Sequence, residues 1–283
     1  MSALTVTEQE QEFVQFESVI DRSRGGAYMV PNEDVEIWRD LVKGRRIDRA
    51  AAICSGGEVG FFALLPTVRK ELVLVDHNLG SLRFAMLKYL LLREHGYAGV
   101  IRLLRDRAKM KVAIHAVVPK LPEKLRDRNA YPETTIGERF VRSCPDPKDS
   151  YYRNRPSPTE TFWANVGDYQ RRQATSKLNL VKFLHGDLLH LVERGPFDLL
   201  YLSNAQQVGN GNDTAVNCEA LGKCLKPGGF VLSSVQMKTK AEFDRRYTSY
   251  DSVQPESWKL VKTLPRRDKG NQNWNYCLYQ VQS

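Results

Sequence analysis

Residues 49–76 read RAAAICSGGEVGFFALLPTVRKELVLVD. Two short apolar runs, residues 49–54 and 72–75, are separated by a glycine-rich break and by residues 58–65, which have the character of a short helix. Apolar runs of this length without polar alternation are typical of strands buried on both faces of a parallel sheet. The stretch therefore predicts a strand, a short helix and a second strand parallel to the first.

The same alternation of strands and helices continues along the chain. Apolar residues recur at helical spacing over residues 79–94, and Gly96 stands where a glycine commonly ends a helix. A further helix is predicted from Asp213, as its N-cap, to about Leu225. The later predicted strands are 180–184, 197–202 and 230–235, followed by a hairpin of 258–264 and 274–281. This order favours an α/β fold with a doubly wound, mostly parallel sheet.

Residues 97–180 differ in composition from the rest of the chain. They contain 17 Lys+Arg and 9 Asp+Glu, or +8, whereas the remainder has 25 against 24, or +1. Residues 157–160 (SPTE) form a capping box that predicts a helix through about Gln173. Two N-terminal helices are predicted over 8–22 and 33–43. We thus expect an N-terminal helical lid (1–47), a Rossmann-like core (48–96 and 181–283) and a basic insertion that shapes the substrate site (97–180).

The composition excludes a disordered, collagen-like or coiled-coil chain. The 283 residues are 42% hydrophobic and 27% charged, as in an ordinary globular protein, and carry a net charge of +9. No window approaches 18 consecutive apolar residues, so no transmembrane segment is predicted, and the first residues lack the pattern of a secretory signal. The five cysteines are odd in number and form no C-x-x-C pair, which argues against a disulfide framework and a zinc site. The expected localisation is cytoplasmic.

The first candidate site is the turn Ser55-Gly56-Gly57, followed by Asp76 at the tip of the next strand. Glycines let a ligand approach the backbone, and the start of a helix favours an anionic group. An acidic residue 20 positions after Gly56 is placed to accept hydrogen bonds from a ribose diol. The alternative is a tight strand-to-helix turn that binds nothing.

Two further strand ends carry polar residues at the same predicted edge of the sheet. Asp187 follows the third core strand and is predicted to accept a hydrogen bond from the amine of an adenine; its neighbour Leu188 is a candidate for the same pocket. The alternative for Asp187 is a helix N-cap. Ser203 and Asn204 end the fourth strand, where the ligand crevice of an open α/β sheet lies; their alternative is an ordinary turn.

Asp76, Gly186-Asp187 and the turn Lys226-Pro227-Gly228-Gly229 resemble the motif series of class I S-adenosylmethionine (SAM) dependent methyltransferases. More specifically, ICSGGEVGFFALLP, LVLVDHN and FDLLYLSN resemble the SAM-dependent 3-amino-3-carboxypropyltransferases of betaine-lipid synthesis. The resemblance covers about residues 28–100 and 180–235, roughly half of the chain, and does not extend to the basic insertion. It implies a Rossmann-like fold of the class I methyltransferase type, with SAM bound as a substrate.

The more specific resemblance implies cleavage of the Cγ–S bond of SAM with release of methylthioadenosine. The 3-amino-3-carboxypropyl group is then transferred to a nucleophile or closes on its own amine to azetidine-2-carboxylate, in which case SAM is the only substrate. An aromatic face beside the sulfonium would help either reaction, and Tyr152 and Tyr169 are the candidates; the alternative for each ring is packing in the core. Ser203 and Asn204 would hold the amino acid's carboxylate and amine. The residues expected around the rest of SAM are Tyr28, as a lid, and His77.

Other functions remain open from the sequence. The runner-up is a SAM-dependent methyltransferase acting on a small molecule or on RNA, because the basic segment 97–180 would attract nucleic acid or an anionic lipid surface. The simplest alternative for that segment is a solvated helical surface. A non-catalytic binding module would not need polar residues at Ser203-Asn204. The five histidines have no metal-ligand spacing, and no G-x-S-x-G motif of a serine hydrolase is present.

Overall fold

The computed structural model describes residues 14–16, 35–104, 106–126, 175–203, 218–237, 255–265 and 273–282. Eight strands form one sheet in the order β1-β4-β3-β2-β5-β6-β8-β7. The strands are β1 (Val14–Phe16), β2 (Ile47–Ile53), β3 (Val68–Asp76), β4 (Val181–His185), β5 (Phe197–Tyr201), β6 (Leu225–Met237), β7 (Trp258–Pro265) and β8 (Asn273–Val281).

Strands β1 to β6 run parallel, and β8 pairs antiparallel with both β6 and β7. After the edge strand β1, the chain enters the middle of the sheet with β2, moves towards β1 through β3 and β4, and then crosses to the other side with β5 and β6. All seven strands predicted from the sequence are present. The predicted fold class, a doubly wound, mostly parallel sheet of the Rossmann-like, class I methyltransferase type, is confirmed.

Helices and short helical turns connect the strands of the sheet. The α-helices are α1 (Val35–Val42), α2 (Leu79–Leu104), α3 (Arg107–Val117) and α4 (Glu123–Arg126). A π-helix spans Val59–Leu64, and 3-10 turns span Val118–Lys120, Leu178–Leu180 and Leu188–Arg194. Residues 218–222 are also helical. Within the described residues, none of the helices has the length and apolar character needed to cross a membrane.

Alternate residues of the central strands pack on opposite faces of the sheet. In β2, Ala50 and Ala52 join the cluster that contains α1 and α2, whereas Ala51 joins the cluster on the other face. Trp38 of α1 is fully buried, and its ring meets Tyr201 and Tyr276 edge-on at centroid distances of 5.1 and 4.6 Å. Burial on both faces explains why these strands are uninterrupted apolar runs in the sequence.

The predicted helices have mixed outcomes. The helix expected over 33–43 is confirmed by α1, and Gly96 (φ 63°, ψ 173°) ends the helix expected over 79–94, although a second helical stretch follows it directly. The helix predicted over 8–22 is wrong at Val14–Phe16, which pairs parallel with β4 as an edge strand. Of the helix predicted from Asp213 to about Leu225, residues 218–222 are helical, whereas Leu225 begins β6. Asp213 itself and the helix predicted from Ser157 to Gln173 lie outside the described residues. The division into lid, core and insertion stays a prediction.

The amino ends of β2 and β5 are joined through the carboxylate of Asp198. Its Oδ2 accepts the N–H groups of Asp48 and Arg49 at 2.9 and 2.8 Å, and its Oδ1 accepts from Lys226 Nζ at 2.7 Å. Partial burial alone would raise the pKa of Asp198, but these hydrogen bonds outweigh it and hold the pKa below the ordinary 3.8.

We expect the Asp198 contacts to make the fold sensitive to acid. Because the folded-state pKa is lowered, the stabilisation is fully present above about pH 4 and is lost as the pH falls through the folded-state value. The variant Asp198→Asn should be less stable at pH 7 and should lose less stability on acidification. Urea unfolding at pH 7, 4.5 and 3.5 measures this, and equal pH dependence in both proteins would contradict it.

Candidate functional site

Four parallel strands end at the same edge of the sheet and bring the predicted site residues into one region. In register, Ile53 lies beside Val75, Ala52 beside Tyr201, and Asp76 beside His185. The segments that follow these strands are Ser55–Gly57, Asp76–Asn78, Gly186–Leu188 and Ser203. The described candidate residues therefore lie together at the carboxyl edge of the sheet, and their binding of a ligand stays a prediction.

The turn after β2 has an unusual backbone at Ser55. Ser55 has φ 45°, a left-handed value that costs about 1–2 kcal/mol for a residue with a side chain. The N–H of Gly57 donates to the carbonyl of Cys54 at 2.7 Å and closes the turn. The N–H of Ser55 donates to Oδ2 of Asp76 at 3.0 Å, so the turn is tied directly to the tip of the next strand.

Gly57 is required by both conformation and space. Its φ is +89°, and a Cβ there would lie 2.7 Å from Cε2 of Phe61 and 3.0 Å from the Cβ of Ala85. A side chain at this position would force the turn away from the π-helix and from α2. The glycine that the sequence singled out for ligand approach thus also permits close packing beneath the turn.

We expect Gly57→Ala to lower the free energy of unfolding by about 1–3 kcal/mol, because strain at positive φ adds to overpacking. Gly44→Ala is the matched control, since Gly44 has φ +78° but a Cβ there would meet no atom within 4 Å. Thermal or urea unfolding should show a larger loss at Gly57 than at Gly44. Equal losses would mean that contact of the added methyl group with Phe61 and Ala85 does not contribute to the loss of stability.

Asp76 is the carboxylate best placed for a ligand. Asp76 is 9% exposed, and its two carboxylate oxygens accept hydrogen bonds from the N–H groups of Ser55 (3.0 Å) and Asn78 (2.9 Å). Burial raises the pKa of Asp76, although the Asn78 N–H, the charge of His77 and the Ser55 N–H oppose the shift. An ionised carboxylate has about four acceptor positions, so capacity remains for the two hydroxyls of a ribose.

The two histidines of this region occupy different environments. His77 is exposed, whereas His185 is buried, and Nε2 of His185 donates to the His77 carbonyl at 3.2 Å. The contact joins the ends of β3 and β4 through a side chain. His77 therefore remains accessible at the site edge, and its predicted contact with a cofactor stays a prediction.

Asp187 caps the 3-10 turn that follows β4, in agreement with the alternative interpretation of this residue. Its Oδ1 accepts the N–H of Leu189 at 3.1 Å, and its own N–H donates to Nδ1 of His190 at 3.0 Å. The side chain is exposed and Leu188 is half-buried beside it. The capping role is present in the structure, and binding of an adenine by Asp187 and Leu188 stays a prediction.

Ser203 is buried and has φ 53°. Its carbonyl accepts the N–H of Ser234 at 2.7 Å and the hydroxyl of Ser233 at 3.2 Å, which ties the end of β5 to β6. The other predicted site residues, Tyr28, Tyr152, Tyr169 and Asn204, lie outside the described residues.

Sequence reasoning missed a buried ion pair below the turn. Glu58 and Lys88 are 1% and 3% exposed, and the Lys88 ammonium donates to the Glu58 carboxylate and, at 2.8 Å, to the carbonyl of Gly56. The sequence feature that could have indicated this pair is a single acid within CSGGEVGFFALL and a single lysine within FAMLKYLLL, each surrounded by apolar residues. Burial raises the pKa of Glu58, against the opposing effect of Lys88.

The described side chains of this region do not form a metal-binding group. Among the described residues, no group of three or more His, Cys, Asp or Glu side chains is arranged to hold a metal ion. The polar groups at the carboxyl edge include the carboxylates of Asp76 and Asp187, backbone N–H groups and the two histidines. Such groups suit hydrogen bonding to the hydroxyls and amines of a nucleoside.

By sequence, no protein-family model and no curated protein matches the chain. Solved structures similar to it include the N-methyltransferase NodS from Bradyrhizobium japonicum WM9 in complex with S-adenosyl-L-homocysteine, at TM-score 0.45 and 11% identity over 98% of this chain and 96% of that chain. TehB from Haemophilus influenzae aligns at TM-score 0.43 and 9% identity over 89% and 64% of the two chains.

TrmN from Thermus thermophilus aligns at TM-score 0.44 and 11% identity; the match covers 87% of this chain and 48% of that chain. None of these names refers to transfer of a 3-amino-3-carboxypropyl group. The identities and TM-scores describe a distant likeness, and the fold assignment rests on the strand order and strand directions of the sheet.

Proposed function

We propose that the chain binds SAM and catalyses nucleophilic attack on one of the carbons bonded to its sulfonium. The observation that carries the proposal is the pairing of Asp76 with the Ser55–Gly57 turn at the carboxyl edge of a doubly wound sheet. The buried carboxylate would accept the ribose hydroxyls, and the glycine turn would lie against the amino-acid end of SAM. Asp187 and Leu188 would border the adenine.

Methyl transfer is the first candidate reaction, since the motif series resembles that of class I methyltransferases. SAM carries three carbons on its sulfonium, and the enzyme selects one by placing a nucleophile in line with it at about 3–3.5 Å. Attack on the methyl carbon breaks its bond to sulfur and leaves S-adenosylhomocysteine. The acceptor would be a small molecule or RNA.

Cleavage of the Cγ–S bond is the second candidate. The observation that favours it is Ser55, which adopts a positive φ in the turn where the resemblance to the carboxypropyltransferases has serine followed by two glycines. Attack on Cγ leaves the bonding electron pair on sulfur and releases methylthioadenosine. When the nucleophile is SAM's own neutral amine, the nitrogen loses a proton and azetidine-2-carboxylate forms.

Product analysis separates these reactions. The full chain is incubated with SAM alone, and then with candidate amines, anionic lipids and RNA, before mass spectrometry. S-adenosylhomocysteine is the product expected from methyl transfer, and methylthioadenosine is that expected from Cγ–S cleavage. Azetidine-2-carboxylate from SAM alone would identify cyclisation. Failure of SAM to bind the purified chain would overturn the proposal.

A further inference from the structure

Stability alone does not account for the buried ion pair of Glu58 and Lys88. Burying two charges is costly, and replacement of such a pair by apolar residues is often neutral or stabilising. One oxygen of the Glu58 carboxylate, Oε2, is moreover buried without a hydrogen-bond partner. The pair lies directly below the Ser55–Gly57 turn, which points to a role in that turn.

Lys88 fixes the peptide group between Gly56 and Gly57. It donates to the carbonyl of Gly56 at 2.8 Å, while the N–H of Gly57 donates to the carbonyl of Cys54 at 2.7 Å. Both polar atoms of this planar group are therefore held, and its orientation is determined from two sides. In addition, a Cβ at Gly56 would collide with Oε2 of Glu58.

The preceding peptide group, between Ser55 and Gly56, differs from the one that Lys88 holds. The N–H of Gly56 makes no hydrogen bond within the described part of the chain. Because peptides 55–56 and 56–57 share the Cα of Gly56, the direction of this N–H depends on the contact that Lys88 makes next to it.

We propose that Glu58 and Lys88 are positioning residues of the SAM site. Lys88 holds the Gly56 carbonyl, Glu58 holds Lys88, and together they keep the Gly56 N–H in the direction in which it meets the bound ligand. Neither side chain has to touch SAM for this role. The inference rests on the proposed SAM binding.

The test measures the SAM dissociation constant by calorimetry for variants of the full chain. The double variant Glu58→Leu/Lys88→Met removes both charges, avoids an orphaned ion and eliminates the donor to Gly56; we expect its dissociation constant to rise by about tenfold or more. Glu58→Gln keeps the Lys88 donor to Gly56 and an acceptor for it but leaves the ammonium without its counter-charge, so this variant should be less stable than the double variant while its dissociation constant rises less. The matched control is Lys177→Met, because Lys177 also donates to two carbonyls, those of Pro66 and Val68, at the opposite edge of the sheet.

A second measurement does not depend on the folding of a variant. The ¹⁵Nζ resonance of the Lys88 ammonium in the unmodified chain should shift when SAM is added, whereas that of Lys177 should not. Unchanged affinity of a folded double variant, or an unshifted Lys88 resonance at saturating SAM, would overturn the inference while SAM binding stands. A chain that does not bind SAM would overturn both proposals together.

Discussion

Replacing Asp76 with alanine is expected to raise the SAM dissociation constant by about 10- to 100-fold, because a hydrogen bond to a charged group contributes about 1.5–3 kcal/mol. The carboxylate is buried at the end of β3, where water does not compete effectively for it. It also holds the turn through the Ser55 N–H, so its loss affects both the ribose contact and the turn. Calorimetric titration with SAM measures the effect.

Asp76→Asn separates these two contributions. The amide retains one oxygen for a backbone N–H but loses acceptor capacity for the diol, so its affinity should also fall, with a smaller loss of stability. Asp48→Asn is the control, since Asp48 pairs with Lys70 at the amino end of β2 and should leave the affinity unchanged. Wild-type affinity in both Asp76 variants would exclude the carboxylate from SAM binding.

Lys88→Met is expected to lower the free energy of unfolding by about 3–5 kcal/mol, because it leaves the Glu58 carboxylate buried without its counter-charge. Both side chains are almost completely inaccessible, so water cannot replace the lost ammonium without opening the structure. The Gly56 carbonyl loses its donor at the same time. Urea unfolding followed by circular dichroism measures the change.

A double-mutant cycle identifies the cause. Glu58→Leu/Lys88→Met should recover most of the stability lost in Lys88→Met, since neither charge then remains in the core. Lys177→Met, which removes a more exposed lysine, should cost less than Lys88→Met. A double variant that is as unstable as Lys88→Met alone would show that the loss comes from packing and not from the orphaned carboxylate.

The sheet could be predicted from the sequence because its central strands are buried on both faces. Residues 49–54 and 72–75 have no polar alternation, and both lie within observed strands or directly at their ends. Asp76 was predictable for a related reason: a carboxylate that directly follows such a run must lie at the edge of the sheet. Gly96 ended its helix as expected, with a positive φ that glycine adopts without strain.

Contacts between distant segments were not predictable. Glu58 and Lys88 are 30 positions apart, and only the packing of α2 against the turn brings them together. Val14–Phe16 has too few residues to show a period, and its pairing with β4 overrides the helical pattern of its surroundings. In contrast, the hydrogen bond from the Leu189 N–H to Asp187 joins near neighbours in the sequence. The sequence therefore allowed a capping role for Asp187 as an alternative to adenine binding.

The most direct test of SAM dependence is calorimetric titration of the unmodified chain with SAM. We predict saturable one-site binding with a dissociation constant between about 1 μM and 1 mM, the usual range of substrate affinities. A rise in the unfolding temperature with SAM concentration should accompany it. Absence of both heat and thermal stabilisation at millimolar SAM would contradict the account.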